Sequence, residues 1–197
     1  MIYKADLHIH SSFSFDSRSR PEAIVRTAAA KGLNVIAVTD HGTIAGGLAC
    51  RRYAEANPKL GVQVVVGSEI TTPSGDIHGL FLTEEINSKD PEEVIACIRS
   101  QGGLSVYVHP YREGEPDERL IELVDAIEIY NGRSSARENL MAQNLVLRLN
   151  KVGLAGSDAH KPGEIGKAYT VFTTDESDSS LFSQRLLSGE IRPVINE

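Results

Sequence analysis

The residues able to do chemistry in this chain fall at the ends of short apolar runs. The first run closes in Asp6-Leu7-His8-Ile9-His10, the second in Thr39-Asp40-His41-Gly42 and the third in Gly67-Ser68-Glu69. The fourth closes in Val108-His109-Pro110 and the sixth in Gly156-Ser157-Asp158-Ala159-His160. His8 and His10 lie two apart on an extended segment, so their side chains point the same way and can hold one ion together. His78, in the segment 75–83, completes the six histidines. Mixed imidazole and carboxylate donors suit zinc, iron or manganese, whereas magnesium and calcium favour an almost all-oxygen shell.

Each motif also has an ordinary reading. A lone histidine such as His78 or His109 is commonly a hydrogen-bonded structural residue, and Asp-His and Ser-Asp pairs form turns and helix caps. Their distribution favours metal: nearly every strand end carries a donor, while the helical stretches carry no histidine. There is no convincing serine or cysteine triad, and Ser12, Ser17 and Ser157 read as turn or supporting hydroxyls.

These donors must be positioned by the elements before them. Strand-like runs rich in β-branched residues occupy 2–7, 34–39, 62–68, 104–108, 126–130, 153–156 and 168–173. Helical segments fit 21–31, 43–57, 91–101, 117–124, 134–151 and 179–188, with Pro21 and Pro91 suited to first turns and Gly32 and Gly102 to exits. The alternation predicts an α/β fold of parallel strands with crossover helices, either open or closed into a barrel. In either form the carboxyl ends of the strands gather on one face, where such folds place their sites. Residues 75–83 are expected to add a hairpin arm, 114–118 a loop tip and 175–180 a polar turn. No repeat or linker divides the chain, so residues 1–197 read as one domain.

Composition narrows the classes. A 41% hydrophobic, 24% charged chain of 197 residues is ordinary for a soluble globular domain, and no apolar run approaches the roughly 20 residues that span a bilayer. The first residues lack a secretory signal, which suggests the cytoplasm. Cys50 and Cys97 sit in helical stretches and are expected to be reduced, buried and inert. A net charge of −7 argues against a general nucleic-acid binder, although bound cations can reverse the local field.

As a set, Asp-x-His-x-His, Thr-Asp-His-Gly, Gly-x-Glu after a strand, His-Pro and Ser-Asp-x-His resemble the PHP family, named for polymerase and histidinol phosphatase domains. The resemblance runs from Asp6 to His160 and on through Ile165-Gly166-Lys167-Ala168-Tyr169-Thr170. It implies a distorted (β/α)7 barrel with two to three divalent ions (Zn, Mn or Fe). By family pattern one ion falls to His8, His10, Glu69 and Asp158, a second to Asp16, His41 and His160, and a third to Glu69, His78 and His109. Family members place His or Asp at the position of Asp16, and Asp6 or Asp40 compete for that role. Otherwise Asp6 and Asp40 stand behind the ligands and orient imidazoles. Three divalent ions against the carboxylates of Asp16, Glu69 and Asp158 leave a site of about +3, which attracts phosphate.

The implied activity is a phosphoesterase in which a metal-bound water, with no protein nucleophile, attacks phosphorus. Its substrate is a small phosphorylated molecule or short oligonucleotide, with Arg18, Arg112, Arg133 and Lys167 as candidate phosphate contacts. Neither a membrane nor a protein partner is implied. Relatives include nucleotide phosphatases, exonucleases and domains attached to DNA polymerases; this chain is too short to carry a polymerase. Two other classes remain: a noncatalytic scaffold or RNA-binding module, and an amidohydrolase acting on a C–N bond. The latter superfamily also begins with His-x-His, but its bridging lysine has no counterpart here.

Overall fold

The computed structural model describes residues 2–173 and 191–196. Its strands are β1 (Ile2–Ile9), β2 (Val35–Val38), β3 (Gln63–Thr72), β4 (Gly75–Leu80), β5 (Leu104–Tyr107), β6 (Ala126–Asn131), β7 (Val152–Gly156), β8 (Ala168–Thr173) and β9 (Ile191–Ile195). Helices α1 (Pro21–Ala30), α2 (Ala45–Ala56), α3 (Pro91–Ser100), α4 (Glu118–Leu123) and α5 (Ala136–Leu149) lie between them. The strands form one sheet in the order β7-β6-β5-β4-β3-β2-β1-β8-β9. It curls until the segment after β7 returns to β1: Ala159 bridges Ile9, and His10 N donates to Ala159 O at 2.9 Å. The result is a nearly closed, distorted α/β barrel, as the family resemblance implied. No described helix is long and apolar enough to cross a membrane.

The sheet is mixed rather than wholly parallel. The pairs β1–β2, β2–β3, β5–β6 and β6–β7 are parallel. The expected hairpin arm is a full strand, β4, set antiparallel between β3 and β5, because only residues 73–74 join it to β3. Between β7 and β8 the chain has only residues 157–167 and no α-helix, less than a parallel crossover requires, so β8 returns antiparallel to β1. Strand β9, not anticipated, pairs antiparallel with β8. The expected turn at 175–180 and helix at 179–188 lie outside the described residues. Cys97 departs from expectation: Cys50 is buried, but Cys97 falls on the outer side of α3 and is exposed.

Local chemistry explains most helix starts. The Asp90 and Asp117 side chains accept from Glu93 N and Leu120 N, capping α3 and α4, and Ser135 with Glu138 forms a capping box on α5. Each cap is worth about 1 kcal/mol. Inside the barrel, alternate strand residues, among them Ala5, Leu7, Val35, Val65, Leu80, Val106 and Leu154, form one apolar cluster. Fully buried Phe172 stacks on Tyr3 with ring centroids 5.1 Å apart, fastening β8 to β1; truncating it to alanine would cost about 3–5 kcal/mol. Two outer clusters seat the helices, one under α1 and α2 and the other under α3, α4 and α5.

Two irregularities decide what faces inward at the carboxyl end. The β1–β2 register slips between Asp6 and Ile9, and the β6–β7 register slips between Glu128 and Tyr130. A bulge changes which face later side chains occupy. On β1, Leu7 belongs to the interior cluster, yet Ile9 packs with the outer cluster under α1, so His8 and His10 turn inward. On β6, Glu128 and Asn131, three apart, both reach His8.

Candidate metal centre

The inward histidines converge on Glu69 near the middle of β3. Nε2 atoms of His8 and His10 lie 3.2 Å apart, and each approaches Glu69 Oε2, at 3.3 and 3.1 Å. Asp158 Oδ1 is 3.5 Å from both. Donors each about 2.1 Å from a shared ion sit roughly 3–4 Å apart, so these four atoms have the spacing of one coordination shell. A second group joins Asp16 Oδ2 to His160 Nε2 at 2.7 Å and His41 Nε2 at 3.3 Å. A third candidate set is looser: His109 Nε2 is 3.0 Å from the other oxygen, Oε1, while His78 Nε2 stays on the Oε2 side at 3.8 Å. His8 and His10 side chains are 1% exposed, against 23% for His41 and 30% for Asp16, which makes the second group the most open to exchange.

Two candidate ligand positions have left-handed backbones, Asp158 at φ 53° and His109 at φ 32°. Non-glycine residues rarely occupy this region, and such strain gathers at functional sites. Gly156 is required by close approach, since a Cβ there would collide with the His8 side chain.

The electrostatics fit a cation. Burial would raise Glu69, but His8 and hydrogen bonds with His10 and His109 override it and hold the carboxyl well below its usual range. The same balance, with Arg112 adding to His8 and His10, lowers Asp158. Burial opposes charge on His8, yet Asp158, Glu128 and Glu69 raise it well above the ordinary imidazole value. For His78 burial wins, with His8 reinforcing it, and the pKa falls to about 4, which leaves a neutral ring with a lone pair to donate. Its Nε2 is buried without a hydrogen-bond partner. A buried orphan nitrogen beside clustered carboxylates is what a metal ligand looks like without its ion.

Comparison with known proteins agrees with this geometry. The PHP domain model matches residues 6–154, and the PHP-associated model matches residues 136–191. The chain belongs to the PHP family. The Methanocaldococcus jannaschii protein MJ1587 is 41% identical over 142 residues, covering 65% of this chain and 81% of that protein. A 5'-3' exoribonuclease of Haemophilus influenzae is 30% identical over 128 residues, covering 65% of this chain and 41% of the enzyme. Among solved structures, PsfC from Pseudomonas syringae superposes with a TM-score of 0.73 at 17% identity, over 99% of this chain and 92% of that one. PHP membership and the donor set together support a metal-dependent hydrolase as the general class.

Around the PHP centre, Asp6 and Asp40 do not orient imidazoles as expected. Asp6 accepts from Ser157 N and Gly166 N, both at 2.8 Å, tying β1 to the segment after β7. Asp40 accepts from Ser11 N and Ser11 Oγ, both at 2.6 Å, fixing the loop that carries Asp16. The strand ends offer these carboxylates backbone and hydroxyl donors instead. The imidazole partner is instead Glu128, 2.9 Å from His8 Nδ1 and also accepting from His109 N and Asn131 Nδ2. Nothing in its surroundings, Ala126-Ile127-Glu128-Ile129, distinguishes it from a surface carboxylate. Asp76 is a second residue that sequence reasoning missed; it lies within reach of Glu69 and His109.

A cavity of about 310 Å³ opens over the centre, lined by His10, Asp16, His41, Glu69, Asp76, Arg112, Arg133, Asp158 and His160. Two candidate phosphate contacts are therefore at its wall, Arg112 and Arg133. Arg112 Nη2 donates to Asp158 Oδ2 at 2.8 Å, and Arg133 Nη1 lies 2.5 Å from His160 Nδ1. The other two, Arg18 and Lys167, are exposed and do not line it; Lys167 lies near Glu164.

Proposed function

We propose that this PHP protein is a phosphoesterase that hydrolyses a phosphomonoester or a short nucleotide, with residues 1–197 forming one catalytic domain. The site holds two to three divalent ions (Zn, Mn or Fe): one at His8, His10, Glu69 and Asp158, one at Asp16, His41 and His160, and one at Glu69, His78 and His109. The observation that carries this reading is the shared carboxylate. Glu69 Oε2 faces His8 and His10 while Oε1 faces His109, joining adjacent donor groups under a cavity edged by two arginines.

Ions held there supply Lewis acidity toward phosphoryl oxygens and activate water. The side chains bind and orient. Glu128, accepting at His8 Nδ1, leaves Nε2 free to ligate. Were His160 Nε2 to hold an ion, Nδ1–H would donate to Asp158 O, 3.0 Å away, rather than accept from Arg133. Arg133 would then be free to meet phosphate as a bidentate donor, while Arg112 would stay with Asp158. No protein nucleophile is needed: Cys50 is buried with its thiol pushed up by burial, and neither cysteine lines the cavity.

Phe15 favours a nucleotide. It is 87% exposed beside the centre, with one face stacked on His41 at 5.0 Å, so the other face is open to a base. The likeness to an exoribonuclease supports the same choice.

The test is elemental analysis of the purified protein, paired with phosphate release from an aryl phosphate after manganese, iron or zinc loading. Two to three ions per chain with metal-dependent release is expected. Stoichiometric metal with no hydrolysis of aryl phosphates or nucleotides would sink the phosphoesterase reading, and absence of metal would sink the centre itself.

A further inference from the structure

Asp76 falls outside the ligand sets that the family resemblance implies, yet β4 delivers it to the same place. It lies two residues before His78, so both side chains share a strand face, and the β3–β4 register pairs Glu69 with His78 and Thr71 with Asp76. Carboxylate and ring donor atoms of Asp76, Glu69 and His109 lie within 4.8 Å of one another.

Its carboxylate is left unsatisfied. Thr71 stands beside it in the β3–β4 pairing, and Oδ1 is buried with no hydrogen-bond partner. His78 Nε2 is the other buried orphan of this strand, on a residue only 1% exposed. Two unpartnered donor atoms from one strand thus flank Glu69, and no described lysine or arginine pairs with Asp76. A carboxylate serving only as a structural brace would have its oxygens satisfied, as those of Asp6 and Asp40 are.

We propose that Asp76 is a fourth protein ligand of the ion held by Glu69, His78 and His109. This rests on the metal-centre reading but not on the phosphate substrate. Two imidazoles and two carboxylates then surround that ion. The added oxygen donor favours manganese or iron, which accept more than four ligands, over tetrahedral zinc. A fourth first-layer carboxylate also lowers the bare charge of a three-ion site from about +3 to about +2.

The experiment titrates full-length wild type and Asp76→Asn with manganese alone, counting bound ions by elemental analysis, and records the cobalt(II) absorption spectrum of each. The expected result is one ion lost, or one class of sites weakened about tenfold or more, with the remaining sites unchanged and the cobalt spectrum altered. Melting of both apo proteins establishes that the variant folds; should it not, Thr71→Val keeps the carboxylate, removes the hydroxyl beside it and is expected to weaken the same site. Equal ion count, affinity and cobalt spectrum in the folded variant would overturn the assignment. So would full metal retention with lost turnover, which would make Asp76 a group acting on substrate or water. If the wild type binds its ions but hydrolyses no phosphate ester, the phosphoesterase reading fails while the Asp76 result still stands or falls on ion count.

Discussion

His8 Nδ1 and Glu128 Oε1 lie 2.9 Å apart across 120 residues of chain, both buried, one at the bulge of β1 and the other at the bulge of β6. That contact fixes which imidazole nitrogen faces Glu69 and Asp158. Glu128→Gln places an amide NH₂ where His8, His109 N and Asn131 need an acceptor. Metal affinity is expected to fall about 10–100-fold, measured by competition against a chelator. Glu128→Ala adds a folding penalty, about 1–3 kcal/mol for each buried donor left unpaired, read from denaturant unfolding of the apo protein.

The two arginines at the cavity wall are expected to separate. Arg133 pairs with no carboxylate at the centre, so Arg133→Ala keeps the metal and lowers kcat/KM by about 10–100-fold, the worth of a charge-assisted hydrogen bond. Arg112 holds Asp158, so Arg112→Ala should weaken metal binding and turnover together. Metal content measured beside kinetics distinguishes them, and metal loss in Arg133→Ala would contradict its role in phosphate binding.

Phe15→Ala is expected to leave aryl phosphate hydrolysis within about twofold while raising KM for a short oligonucleotide about tenfold, since stacking contributes about 1–3 kcal/mol per base. Equal loss on both substrates would place Phe15 in support of His41 instead.

The stability of the metal-free protein and the stabilisation added by metal should respond to pH in opposite directions. In the protein alone His8 and His10 have raised pKa values, so their contribution is fully present below 6.5 and is lost as pH rises through the folded values. Glu69 and Glu128 are lowered, so theirs is present above 4.5 and is lost as pH falls through the folded values. Metal requires neutral imidazoles, so loading strengthens as pH rises. From pH 6.5 to 9 the apo melting temperature is expected to fall and the manganese-induced increment to grow; a flat increment would argue against histidine ligation.

The sequence by itself determined the alternation of strands and helices and the donor at nearly every strand end, because apolar periodicity and histidine chemistry are local properties. Helix starts at Pro21 and Pro91 were legible for the same reason. The His8-x-His10 pair correctly implied a common direction, since alternation on an extended strand needs no partner. Which face that direction meets was not legible. In β1, unbroken alternation would set Leu7 and Ile9 inward together, and only the bulge against β2 sends Ile9 outward and both histidines in.

The direction of β8, the placing of β4 inside the sheet, and the roles of Glu128 and Asp76 were likewise decided by tertiary structure. A glutamate between isoleucines on β6 and an aspartate after Gly75 have no local pattern that marks them as part of a centre. Their placement comes from register: β6 carries Glu128 to His8, and the β3–β4 pairing carries Asp76 to Glu69. Residue type determined what chemistry was available, whereas strand pairing, bulges and the left-handed backbones of His109 and Asp158 decided which atoms meet.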